Sequence, residues 1–226
     1  MIITKKKPLD ELLKHIKKGP PACTAGEKVF LVGCGECSAT CKTGGEPEVL
    51  AIKKELEANG ITITGFAIPS APCVAAKIKA EFARHLKEVK EADSILVLAC
   101  GLGAHSVREN DRFGKVVRIA CDTLFMGEID KEGVFKERCS ACGECVLELT
   151  GGICPITLCA KGLLNGPCGG VNKGKCEVDK ERDCAWVLIY NELKKQGKLE
   201  RLKEIQPPKD YSKMNKPRQL TLPAVS

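Results

Sequence analysis

Eight cysteines crowd into the stretch from Arg138 to Trp186, RCSACGECVLELTGGICPITLCAKGLLNGPCGGVNKGKCEVDKERDCAW. They are Cys139, Cys142, Cys145, Cys154, Cys159, Cys168, Cys176 and Cys184, out of fifteen in a chain of 226 residues. Crowded thiolates repel one another unless a cation neutralises them, so such a stretch folds around disulfides or around metal. Its apolar residues Val146, Leu147, Ile153, Leu158, Leu163 and Leu164 are too few for a self-standing core, and bound metal would supply the missing folding energy. The odd cysteine total does not permit complete disulfide pairing. The opening MIITKKKPLDELLKHIKK lacks the apolar core of an export signal, and no run is long enough to span a bilayer. Free thiols that ligate metal in a reducing cytoplasm are the expectation.

The spacing C-x2-C-x2-C at Cys139, Cys142 and Cys145 wraps three thiolates around one face of an iron–sulfur cube. Cys154-Pro155 repeats the Cys-Pro step that closes such runs in ferredoxins. No histidine lies in the stretch, so any metal there is held by sulfur. Eight thiolates suit two [4Fe–4S] clusters, or one cluster and one structural zinc. The looser set Cys159, Cys168, Cys176 and Cys184 is compatible with either metal.

Upstream the pattern changes. Residues 8–18 carry Leu9, Leu12, Leu13 and Ile16 at helical spacing, which makes 1–27 an N-terminal helical segment. Residues 28–125 alternate apolar strands (28–34, 61–69, 94–101, 115–122) with amphipathic helices (45–60, 73–92). This predicts the fold class: α/β, a small parallel sheet flanked by helices, of the flavodoxin or Rossmann kind. A cysteine-rich iron–sulfur domain (126–186) follows. A C-terminal helix over 184–205 then breaks at Pro207-Pro208, and 187–226 ends in an extended tail expected to bind a partner.

Cys34, Cys100 and Cys121 fall at the carboxyl ends of predicted strands, the edge where open parallel sheets bind ligands. The loop GCGECSATC brings Cys34, Cys37 and Cys41 together, and Cys100 would complete a four-thiolate metal site, with Cys73 as the competing fourth ligand. Cys121 and Cys23 read as small buried hydrophobes. Lys42-Thr43 lacks the glycine that precedes a Walker lysine, and GCGECS and GLGAHS lack the third glycine of a dinucleotide fingerprint. No flavin or NAD is therefore expected on this chain. The net charge of +7 comes with only 4% aromatic residues, which leaves few stacking platforms and argues against nucleic acid as a partner. Lys42, Lys161, Lys173 and Lys175 are candidate tuning or docking charges beside the metals, or ordinary surface lysines.

GGICPITLCAKGLLNGPCGG followed by GKCEVDKERDCAWVLIYNEL resembles the cysteine-rich C-terminal domain associated with methylenetetrahydrofolate reductase. CGECSATCKTGGEPEV and LVLACGLG are similar to the amino-terminal half of the MetV-type small subunit of acetogens and related anaerobes. The resemblance implies a non-catalytic iron–sulfur subunit that passes electrons to the flavin of a MetF-type catalytic subunit in one-carbon metabolism and the reductive acetyl-CoA pathway. It also implies a separate electron-donor protein or subunit. The alternative is a zinc-stapled adaptor of the same reductase that carries no electrons.

Overall fold

The computed structural model describes residues 1–17 and 26–221, and Cys23 lies outside them. The chain divides into two units, Met1–Phe125 and Met126–Ser226. The first unit opens with strand β1 (Ile2–Lys6) and helix α1 (Leu9–Lys17). Strand β2 (Lys28–Val32) leads through the short helix α2 (Cys37–Thr40) to α3 (Glu46–Ala58). β3 (Thr62–Ala67) leads to α4 (Ala75–Arg84) and α5 (Leu86–Glu91). β4 (Ser94–Val97), α6 (Gly101–Asn110) and β5 (Val116–Ile119) complete the alternation.

The sheet order is β3-β2-β4-β5, and every pairing is parallel. Phe30, Val32, Ile95 and Val97 pack under α4, α5 and α6 through Ile78, Phe82, Val89, Ala104 and Val107. Val29, Leu31, Leu96 and Leu98 pack on the other face against Leu12 and Ile16 of α1 and Val49, Ile52 and Leu56 of α3. Both sheet faces are covered, which is why these strands read as continuous apolar runs. At the amino end of the sheet, buried Glu27 accepts bonds from Arg118 (2.9 and 3.2 Å) and from Ser94 Oγ (2.5 Å). That cluster ties the edge strand β5 to the centre of the sheet.

Strand order also fixes where a ligand fits. β2 connects to β3 on one side, and the chain then returns past β2 to β4 and continues to β5 on the other. The loops leaving β2 and β4 therefore diverge, which opens a crevice at their carboxyl ends.

The predicted helix over 73–92 is two helices, because His85 leaves the helical region (φ −107°, ψ 31°) and lays its ring 5.8 Å from that of Phe30. The predicted helix over 184–205 ends as α8 (Ala185–Lys195), since Gly197 turns left-handed (φ 68°) and a 3-10 turn, Leu199–Lys203, follows. Three strands were not expected from the sequence: β1, which opens the segment read as helical, and two more, β6 (Cys121–Ile129) and β7 (Phe135–Cys139). Within the second unit, residues Met126–Ile129 of β6 pair antiparallel with β7. The β6–β7 turn is built on Asp130, whose carboxylate accepts from the backbone of Glu132 (3.0 Å) and Val134 (2.9 Å). The Lys136 ammonium beside it holds that carboxyl below its usual range.

The second unit has a small core. Trp186, Ile189 and Leu193 of α8 pack with Cys184, Cys159, Ile153 and Val171. Its remaining helix, α7 (Pro155–Leu158), packs on β7. Among the described residues no helix is long and apolar enough to cross a membrane.

Candidate metal centres

In the first unit, thiols stand at and near the carboxyl ends of β2 and β4. Cys34 follows β2 by two residues, and Cys100 follows β4 by three and caps the amino end of α6. Both are buried. Cys37 opens α2, and Cys73 stands on the loop after β3. Cys34 Sγ lies 3.9 Å from the Ser70 carbonyl, and the Gly35 N–H donates to the Pro69 carbonyl at 2.9 Å, so the β2 and β3 loops are laced together. Burial pushes the Cys73 thiol up, and Cys100, Cys34 and Cys37 each push it further. Negative charge on those three sulfurs is thus felt at Cys73, a situation that a bound cation relieves.

Cys41 faces elsewhere. Its Sγ points at the Ile2 carbonyl of β1 (3.8 Å), and its electrostatic neighbour is Cys121. Cys121 is 1% exposed, and burial drives its thiol pKa to about 11. It packs as a neutral side chain in the core, as expected from the sequence. Cys73 thus senses Cys34, Cys37 and Cys100, whereas Cys41 Sγ faces the Ile2 carbonyl of β1.

Two glycines hold this loop. Gly44 packs so closely on β4 that an added Cβ would lie 1.8 Å from the Leu98 carbonyl oxygen. A Cβ added to Gly33 would in turn lie 2.6 Å from the Gly44 carbonyl oxygen. The Cys34 N–H donates to the Gly44 carbonyl (2.8 Å), and the Thr43 and Gly44 N–H groups donate to the Ser38 carbonyl. The CKTGG segment thus packs its backbone closely on the end of β4.

In the second unit Cys159, Cys168, Cys176 and Cys184 line one small cavity of about 20 Å³, together with Trp186 and Val171. That volume accommodates one water-sized body, which fits a single four-coordinate ion better than a multi-atom cube. Cys168 Sγ donates to Glu177 Oε2 (3.2 Å), and Lys161 pairs with Glu177 Oε1 (2.5 Å). Lys161 is thereby placed at the cavity rim, whereas Lys175 is occupied by Asp183 at 2.8 Å. Lys42 and Lys173 hold left-handed turn positions (φ 54° and 48°).

The remaining four cysteines lie apart from that cavity. Cys139 ends β7, Cys154 caps the amino end of α7, and α7 packs on β7. In the loop between, the Ala141 N–H donates to Cys139 Sγ at 3.3 Å, the N–H···S contact by which proteins tune bound clusters. Cys142 is half-buried, and Cys145 is exposed. Every described cysteine is a free thiol. Among the described residues no group of three or more His, Cys, Asp or Glu side chains is closed around a metal position.

Residues 119–212 match the family described as "Methylene-tetrahydrofolate reductase C terminal". The matched segment contains all eight C-terminal cysteines. Comparison with curated proteins and with solved structures found no match.

Proposed function

With its residues 119–212 belonging to the methylene-tetrahydrofolate reductase C-terminal family, we propose that the chain is the iron–sulfur electron-transfer subunit of such a reductase. In this reading Cys34, Cys37, Cys73 and Cys100 hold one [4Fe–4S] cluster at the sheet edge. Cys139, Cys142 and Cys145, with Cys154, hold a second. Cys159, Cys168, Cys176 and Cys184 hold zinc in the small cavity. The observation that carries the reading is the grouping of thiols in the crevice of the first unit. A zinc-stapled adaptor would need the second unit alone.

Clusters of this kind accept and release one electron at a time and so can load a partner's flavin, which collects two. The chain's own residues do the rest. The tightly packed 33–44 loop fixes two sulfurs against the sheet, and the α6 amino terminus favours negative charge beside Cys100. Lys161 and Glu177 frame the zinc cavity. The partners implied are a flavin-containing catalytic subunit and an electron donor, and the free thiols fit a reducing cytoplasm.

Anaerobic purification followed by metal analysis tests this. The expected content is about eight irons, about eight acid-labile sulfides and about one zinc per chain, with electron flux from a low-potential donor to a flavin-loaded partner. Zinc without sulfide would leave the adaptor as the function. The ligand set has its own test. Cys73→Ser is expected to lose about half of the iron and sulfide, one of two clusters, while Cys41→Ser keeps both. The reverse pattern would return Cys41 to the site.

A further inference from the structure

Residues 209–218 lie on the loop that carries Cys139, Cys142 and Cys145. The Lys209 side chain is only 3% exposed. Its Nζ donates to the Glu144 carbonyl and lies 3.8 Å from Glu144 Oε2. Lys213 Nζ donates to Glu144 Oε1 (2.9 Å), and the Asp210 N–H donates to Oε2 (3.0 Å). Arg218 donates to the Ala141 carbonyl at 2.7 Å. A Cβ on Gly143 would meet Lys213 at 2.9 Å, so the two backbones are in direct contact.

The charge on this assembly is not balanced. Lys209, Lys213 and Arg218 face Glu144 and Asp210, and Glu144 is shared between both lysines. A buried ammonium costs several kcal/mol unless its partners are good. Here its nearest carboxylate, at 3.8 Å, also takes a closer hydrogen bond from Lys213 Nζ at 2.9 Å. The Glu144 carbonyl that Lys209 grips also lies 3.4 Å from Cys142 Sγ. A buried cation that shares its carboxylate partner with a second lysine thus stands one carbonyl away from a candidate ligand, where an anionic metal–thiolate group would complete its compensation.

We propose that the segment Lys209–Arg218 is an electrostatic cap on the group held by Cys139, Cys142 and Cys145, and that Lys209 makes that group easier to reduce. The proposal rests on the iron–sulfur reading of those cysteines. Taking up an electron adds negative charge, and a cation buried out of reach of salt stabilises the reduced form more than the oxidised one.

The test uses the full chain, anaerobically reconstituted with iron and sulfide, in a redox titration followed by electron paramagnetic resonance. Lys209→Met is expected to lower the ratio of reduced to oxidised cluster at a fixed potential about tenfold, or about 59 mV for a one-electron centre. Lys209→Arg, which keeps the charge, is expected to stay within about twofold of the parent. Lys209→Met with full iron and an unchanged ratio would overturn the proposal. If Lys209→Met loses the cluster, Glu144→Gln decides. Removing the carboxylate should raise the ratio, the opposite direction, whereas a purely structural clamp would leave it unchanged or lower it. A parent chain without iron or sulfide at this loop would instead remove the iron–sulfur reading itself.

Discussion

On the proposed zinc assignment, replacing Cys184 with serine is expected to release the ion from the four-cysteine cavity and to unfold the second unit. Cys184 lines the cavity and belongs to the only apolar cluster this unit has among its described residues. A structural four-ligand zinc supplies on the order of 10 kcal/mol of apparent folding free energy, comparable with a whole domain's margin. Removing one thiolate of four should therefore leave the small core around Ile189 and Leu193 unable to hold by itself. The chain carries its own reporter, because Trp186 is the sole tryptophan and also lines the cavity. Its indole N–H donates to the Leu163 carbonyl at 3.0 Å. The expected result is red-shifted emission from the Cys184→Ser chain at a temperature where the parent is folded, together with loss of zinc. A strong chelator should do the same to the parent. Unchanged emission with unchanged zinc would mean that the cavity is an ordinary apolar void.

The second large effect belongs to the first unit. Gly44→Ala is expected to destabilise it by about 3 kcal/mol or more. The new methyl would meet the Leu98 carbonyl oxygen at 1.8 Å and its carbon at 2.8 Å, both backbone atoms at the centre of a parallel sheet. Neither can swing aside as a side chain would. Because the same loop carries Cys34 and Cys37, iron binding at the sheet edge should fall with stability. Gly60→Ala is the control: its φ of 81° is strained for alanine, but nothing lies within 4 Å of the added methyl. That variant should lose about 1 kcal/mol and keep its metal. Denaturant melts followed by far-ultraviolet dichroism, with iron analysis of each variant, separate the two.

The parallel sheet was legible because burial on both faces writes long apolar runs into the sequence, and the helices between them carry regular stripes. Strand-end placement pointed to the crevice for the same reason. What periodicity could not supply was strand order, and strand order decides which thiols meet. Cys41 is closer in sequence to Cys37 than Cys73 is, yet α2 turns it toward Ile2 while the β3 loop brings Cys73 back. The β6–β7 pair was missed because its strands are largely exposed and carry no regular apolar alternation, and only the Asp130–Gly133 turn announces it. The tail was illegible for a different reason. Its contacts are ionic and to backbone, spaced irregularly, and made to a loop some 65 residues away (Lys209 to Glu144).

The locked 33–44 loop has a consequence for speed. Adding one electron to a metal centre lengthens its bonds slightly, and the surroundings must rearrange to suit. Here two sulfurs hang from a backbone wedged between Gly33, Gly44 and Leu98 and tied by the Cys34–Gly44 bond. Protein packed at that density yields little. On the proposed function, the reorganisation that each electron must drive is therefore small, and the sheet edge works as a stiff conductor and not as a moving part.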